Sequence, residues 1–218
     1  SLLAPKVDNL LVGLLVDGFS LPQTVMTNHN PPYYLELFRK CGYEIKTRLG
    51  TFIFTRETIK QQRINIPGFT TREFNRHNLP QEVAIFHRLQ NLLFESSDDY
   101  VPRTLEEDRE MVTSFLPFLD DEMIIIAQDK QANPAGLLIC FPDIYQTFQG
   151  QSINRARIVS IGVLPGRAMM GLGAMMGSHL MRNLLKKGYQ SAEASWILQN
   201  NLDPQNLAKR FNAQLGRQ

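Results

Sequence analysis

Two glycines one residue apart, Gly171 and Gly173, follow a β-branched apolar run from Arg157 to Leu164 and the pair Pro165-Gly166. After them Leu172, Met176, Leu180 and Leu184 recur at helical spacing, and Lys186-Lys187-Gly188 closes the run with cations on the last carbonyls. The pattern predicts strand, glycine turn, helix. Such a turn lets a ligand approach the backbone, and the free N–H groups of a first helical turn favour an anion, a phosphate above all. A plainer reading also fits, in which the glycines serve only a tight turn and close packing. A P-loop is excluded because Ala174-Met175 follows Gly173 where Lys-Ser/Thr is needed. The order Gly171, Gly173, Gly177 is one residue too long for a dinucleotide fingerprint, although Glu193 stands where an acidic ribose ligand could.

The remaining chemistry-bearing residues are carboxylates, tyrosines and histidines. Glu193, on the strand after the glycine helix, is the best candidate for a general base. Asp143, in Phe141-Pro142-Asp143, ends an earlier strand and either points toward the substrate or caps a turn. Asp98, Asp99 and Tyr100 form a polar loop between two helices. His179 shares a helix face with Arg182 and Lys186 and reads as solvated, and His29, His77 and His87 are isolated without metal-ligand spacing, so no metal site is expected. Met169, Met170, Met175 and Met176 crowd the turn, as core or as the lining of an acyl channel.

Positioning these residues requires a mixed α/β fold. Residues 10–19 read as a buried strand, and Asn30-Pro31-Pro32 as the start of a helix with Asn30 as cap. Tyr34, Leu37, Phe38 and Cys41 give that helix an apolar face, and residues 44–55 read as a further strand. The polar stretch 56–70 with Pro67-Gly68 reads as a linker. Then come a strand at 70–74, a helix at 79–95, a helix opened by the capping box Thr104-Leu105-Glu106-Glu107, and a hairpin of 123–127 with 135–141 carrying Cys140 as a core residue. After the glycine helix, the strand Ala192–Leu198 leads through Asn200-Asn201 to a helix with Leu207, Ala208 and Phe211. A dinucleotide domain would alternate strand and helix from its start, and this order does not.

Ile161-Gly162-Val163-Leu164-Pro165, Gly171-Leu172-Gly173, Gly188-Tyr189 and the strand Ala192–Leu198 together resemble the GNAT-type acyltransferase superfamily. The resemblance implies a central mixed, mainly antiparallel sheet flanked by helices, with the strand end and glycine turn holding the pantetheine and diphosphate of acetyl-CoA or a longer acyl-CoA. The positions this assigns are Ile161, Val163, Leu164, Gly166, Arg167, Ala168, Met169, Met170, Gly171, Leu172, Gly173, Ala174 and Asn201. The chain departs from the family pattern where an Arg or Gln is usual, since Ala168 stands there and Arg167 lies one residue early. The tyrosine that often protonates the leaving thiol has no counterpart on the helix after Asn201, where Phe211 is the aromatic residue.

Residues 10–55 and 192–218 repeat the order strand, helix, strand, with Asn30 and Asn201 in comparable places. The repeat resembles the tandem-copy subset of the same superfamily. It implies a first-copy remnant over 1–58, a linker over 59–70 and an acyl-CoA-binding copy over 71–218 that lacks its last strand.

The 218 residues carry a net charge of +2, 43% hydrophobic and 20% charged residues, a balance that allows a sizeable core and gives no reason to expect a nucleic-acid partner. Cys41 and Cys140, far apart, fit reduced thiols in a cytoplasmic protein, and no apolar run reaches the length of a membrane span or follows a basic leader. Three readings follow. The chain moves an acyl group from acyl-CoA to a small-molecule amine, or takes it from an acyl carrier protein docked on Arg155, Arg157 and Arg167, or is a non-catalytic module that binds acyl-CoA or joins subunits, as in a homodimer.

Overall fold

The computed structural model describes residues 13–59, 63–95, 100–166 and 171–218. Seven strands form one sheet in the order β2-β3-β4-β5-β6-β1-β7. They are β1 Leu49–Thr55, β2 Phe69–Glu73, β3 Ile124–Asp129, β4 Pro134–Pro142, β5 Arg155–Val163, β6 Ser191–Leu198 and β7 Gln214–Leu215. Every pairing is antiparallel except β5 with β6. The helices are α1 Tyr34–Lys40, α2 Leu79–Phe94, α3 Leu105–Phe115, the single turn α4 Tyr145–Phe148, α5 Leu172–Lys186 and α6 Leu202–Arg210.

Alternation along the central strands gives the sheet two apolar faces. On one, Met123, Ile125, Leu138, Cys140 and Ile158 meet Met176, Leu180 and Leu184 of α5, with Ala208 and Phe211 at the end of α6. On the other, Ile124, Ile126, Leu137 and Phe141 meet Val83 and Leu89 of α2 and Val112 of α3. Cys140 is fully buried in the first core, as its place in an apolar strand implies, and burial pushes its thiol pKa up.

The capping box at α3 is present in both directions: Thr104 Oγ1 accepts from Glu107 N at 3.2 Å, and Glu107 Oε2 accepts from Thr104 N at 2.7 Å. Thr104→Ala removes this cap and is expected to cost about 1 kcal/mol, lowering the melting temperature by roughly 2–4 °C in a scanning calorimeter.

The N-terminal segment differs from its sequence reading. Residues 13–19 form no strand, and the part of the expected strand before them lies outside the described residues. Leu15 is buried, but its N–H donates to the Asn30 side chain at 2.7 Å, and the N–H groups of Val16 and Asp17 go to the Gln218 carbonyl. Gly18 then turns the chain at φ +80°. Asn30 therefore clamps Leu15 and does not cap α1, whose N-cap is Tyr33, three residues past the predicted one.

The strand predicted at 44–55 starts only at Leu49, and it enters the sheet between β6 and β7. β1 thus lies in the same sheet as the strands of residues 71–218. Ile59 is buried in the α5 core, Ile64 and Ile66 pack beside it, and Ile64 N donates to Ser178 Oγ.

Candidate functional site

The ladder between β5 and β6 runs from Arg155↔Ser191 to Ile158↔Ala194 and stops. Beyond that point β5 continues to Val163 along β4, and β6 continues to Leu198 along β1. The two central strands therefore splay, and their facing main-chain edges have no strand opposite them.

Both walls are irregular where the ladder ends. In β5, Cys140↔Ile158 is followed by Ile139↔Ser160, which leaves Val159 as an extra residue. In β6, Gly50↔Ile197 and Phe52↔Ala194 leave an extra residue at Ser195-Trp196. A bulge bends and re-aims its strand, so one bulge on each wall is a sufficient cause of the splay. Pattern reading gives no sign of a bulge here, because neither strand carries a glycine or proline at that position. The buried indole Nε1 of Trp196, on the β6 wall, has no hydrogen-bond partner among the described residues. Trp196 itself is only partly buried.

At the open end stands the start of α5. Gly171 is its N-cap at φ +78°, and no side chain caps the helix. Among the described residues no acceptor outside the helix meets its first N–H groups, at Leu172, Gly173 and Ala174. A Cβ on Gly173 would lie 3.4 Å from Leu207 of α6, 3.9 Å from Ile161 and 4.0 Å from Val163. Gly173 consequently sits in the wedge between the β5 wall and α6. Leu172, fully buried, anchors the turn with Met175 against Val163, Ile64 and Ile66.

The structure brings Ile161, Val163, Gly171, Leu172, Gly173 and Ala174 together at this end of the sheet, with Leu164 held through its N–H to the Ala135 carbonyl and Gly166 turning the chain at φ +78°. Arg167, Ala168, Met169 and Met170 lie outside the described residues. Met175 and Met176 are core. Asn201 is the exposed N-cap of α6 and makes no side-chain cap bond.

The two catalytic carboxylates of the sequence reading are engaged elsewhere. Glu193 is 5% exposed; its Oε2 accepts from Arg217 at 2.5 Å and its Oε1 from Thr24 Oγ1 at 3.1 Å. It lies level with Arg157, on the paired stretch of β6 before the splay opens. Asp143, fully buried, takes Arg155 on Oδ2 and the Val25 N–H on Oδ1. Neither carboxylate faces open space. Together with Arg157, which bonds the Val25 and Met26 carbonyls and Ser195 Oγ, they pin residues 24–27 across this face of the sheet. Burial lowers the Arg157 pKa to about 10, against the opposing pull of Glu193. Arg155 and Arg157 are therefore not a docking patch for a carrier protein.

Other assignments also change. His179 is not solvated: its ring nitrogens meet Thr71 Oγ1 at 2.9 Å and Glu73 Oε1 at 3.1 Å, because α5 packs this face onto β2. His87 is not isolated, since Nδ1 lies 2.8 Å from the fully buried Asp108, which also binds Arg103. The pair ties α2 to α3, and Tyr100 joins it by donating to Asn91 Oδ1. Asp98 and Asp99 lie outside the described residues. Phe211 packs on Gly177 of α5 in the core and does not reach the splay.

A surface cavity of about 590 Å³, lined by Arg56, Ile59, Arg182, Asn183, Leu185 and Lys186, lies at the C-terminal end of α5, roughly 20 Å along that helix from the glycine turn. It is separate from the splay. Among the described residues no cluster of His, Cys, Asp and Glu could hold a metal ion, and no helix is long and apolar enough to cross a membrane.

No protein-family model matches the chain. It is 23% identical over 235 residues to Protein YghO of Escherichia coli (strain K12), covering 93% of this chain and 59% of that protein. It is 24% identical over 222 residues to the Bacterial ceramide synthase of Caulobacter vibrioides (strain NA1000 / CB15N), covering 87% and 57%. The chain thus spans under two thirds of the length of either relative. Among solved structures, a GCN5-related N-acetyltransferase from Sphaerobacter thermophilus superposes with a TM-score of 0.67 at 16% identity, over 84% of this chain and 53% of that one. A tandem GNAT protein from the clavulanic acid biosynthesis pathway gives 0.59 at 10% identity, over 90% and 58%. The splayed parallel pair in a mainly antiparallel sheet, with a helix starting at its mouth, is the fold of the GCN5-related N-acetyltransferases, and this chain has that fold.

Proposed function

We propose that this chain binds an acyl-CoA in the β5/β6 splay and transfers its acyl group to an amine. The observation that carries the reading is the ladder's end at Ile158↔Ala194 with the uncapped first turn of α5 at the opening. The N–H groups of Leu172, Gly173 and Ala174 suit the diphosphate of CoA, and the Gly173 wedge lets that group come close to the backbone. The unpaired edge of β5 beyond Val159 offers main-chain partners to the pantetheine amides and an N–H to the thioester carbonyl.

The chemistry asks little more. The neutral amine attacks the thioester carbon, the carbonyl oxygen takes up charge against the main-chain N–H, and the C–S bond breaks to leave an amide and a thiolate. The amine loses one proton and the thiolate gains one. Glu193 and Asp143 are both bound to arginines, so these protons travel through water entering the groove. Phe211 offers no proton to the thiolate.

The name of one relative favours a longer acyl group and a lipid amine, a ceramide being the amide of a fatty acid with a long-chain amino alcohol. A second reading, binding without turnover, is favoured by the same two ion-paired carboxylates and by Phe211. Titration calorimetry with acetyl-CoA and with palmitoyl-CoA tests the first step, and binding of either with one-to-one stoichiometry is expected. Amide formation from a panel of amines, including a long-chain amino alcohol, then separates transfer from binding alone. If neither acyl-CoA binds, the assigned site is wrong.

A further inference from the structure

Arg157 carries a buried charge that no carboxylate answers directly. It is fully buried, and its four hydrogen bonds go to uncharged acceptors. Nε donates to Ser195 Oγ at 2.8 Å and Nη2 to the Ser195 carbonyl at 3.3 Å, while Nη1 reaches the carbonyls of Val25, at 2.9 Å, and Met26. The two carboxylates of this face are each held by another arginine, Glu193 by Arg217 and Asp143 by Arg155. Tyr145 of α4 also acts on Arg157 through space. Among the described residues three arginines thus face two carboxylates here, a surplus of one positive charge. An unanswered buried charge is costly, so its position matters.

That position is the throat of the splay. Arg157 opposes Glu193 on the rung before the last of the β5–β6 ladder. Ser195, which takes two of its bonds, is the first residue of β6 past the last rung at Ile158↔Ala194. Val159, the extra residue of β5, is two places on from Arg157, about 7 Å along the strand. On the binding mode proposed above, the thioester carbonyl meets a main-chain N–H of β5 just beyond Val159. The attacking amine then comes within about 10 Å of the guanidinium. Ser195 is only 4% exposed, so little water screens the charge there.

We infer, resting on the acyl transfer proposed above, that Arg157 is a positioning residue for the reaction: its surplus charge favours the neutral form of the acceptor amine in the splay and takes the place of a carboxylate base. A cation near an ammonium disfavours the charged form. The ammonium gives one proton to water in the groove, and the neutral amine then attacks the thioester carbon. The same cation steadies the carbonyl oxygen as that oxygen takes up charge. Arg157 touches none of these atoms and acts through space from its seat on Ser195. A free carboxylate at the throat would work the other way, holding the amine as ammonium, and both carboxylates of this face are tied to arginines. Burial lowers the pKa of Arg157 itself to about 10, with Glu193 opposing the fall and Arg217 adding to it. Well below that pH its charge is constant, and a pH profile reads the amine.

The test is the pH dependence of kcat, with palmitoyl-CoA and the reacting amine of the panel both saturating, because kcat reports groups in the bound complex. Arg157→Met removes the charge and should raise the apparent pKa of the profile by about one unit, the size of a charge–charge interaction at such a distance. Arg157→Lys keeps the charge and should restore the original value. Glu193→Gln leaves Arg217 unanswered as well and should lower the apparent pKa by about the same amount. Loss of packing does not produce shifts of opposite sign. Arg157→Met strips the Val25 and Met26 carbonyls of their donor, and if it fails to fold, the sign of the Glu193→Gln shift decides. An apparent pKa unchanged or raised in Glu193→Gln, or unchanged in a folded Arg157→Met, overturns this inference while the proposed transfer stands. No transfer to any amine by the unaltered chain overturns the proposed function and this inference with it.

Discussion

Gly173→Val is expected to raise the Kd for acyl-CoA at least about 100-fold, roughly 2.8 kcal/mol, in a protein that still folds. The substitution puts branched carbon into the wedge between β5 and α6, where a single Cβ already meets Leu207 at 3.4 Å and Ile161 and Val163 at about the limit of contact. Those are ordinary van der Waals distances, so the helix can form, and Gly173 needs no positive φ. On the proposed binding mode, the valine methyls would narrow the approach of a diphosphate to the N–H groups of α5. Gly173→Ala, which adds one carbon at an acceptable distance, should lose much less. Gly171→Val is the poorer test, since a β-branched residue at φ +78° is strained by about 1–3 kcal/mol whatever binds there. Calorimetry on the folded Gly173 variants decides the matter, and unchanged affinity in Gly173→Val would remove the glycine turn from the site.

Arg217→Ala should be the most destabilising single change outside the apolar core. It leaves Glu193, 5% exposed, without its cation, and Arg217 itself is 1% exposed and also bonds Thr24 and Thr27. Stranding one partner of a buried ion pair costs about 3–5 kcal/mol, which for a chain of this size lowers the melting temperature by roughly 6–20 °C. Glu193→Gln keeps the shape and hydrogen-bonding capacity, and should cost less while leaving acyl-CoA affinity unchanged within about threefold. The pair distinguishes a structural carboxylate from a catalytic one. A Glu193→Gln protein with full thermal stability and a kcat/KM reduced by two orders of magnitude would restore Glu193 as the base.

Much of the fold was legible because it is local. The strand before Pro165, the glycine turn, α5 with its apolar stripe and the Thr104–Glu107 cap are each set by spacing within a few residues. So was the burial of Cys140, in the middle of an apolar strand. The errors share a cause. Residues 10–19 read as a strand because they are apolar, but Leu15, Val16 and Asp17 spend their N–H groups on Asn30 and on the Gln218 carbonyl, partners that no periodicity reveals. Asn30 looked like a helix cap because it precedes two prolines, and its side chain instead completes Leu15. His179 shared a stripe with two cations, yet its ring meets Thr71 and Glu73 of β2 while Lys186 stays exposed.

The candidate site divides the same way. The amino-acid sequence by itself determined that a glycine-opened helix would follow a buried strand, because backbone permissiveness and helix ends depend mostly on neighbouring residues. Only the tertiary structure decided that β5 and β6 part after Ile158 and Ala194, that β1 supplies the strand behind β6, and that Glu193 and Asp143 answer to arginines. Those outcomes depend on which strands pair and on where a charge finds its counter-ion over separations such as the 24 residues between Glu193 and Arg217. Pairing and charge compensation are settled by packing in three dimensions, where sequence distance carries no energy of its own.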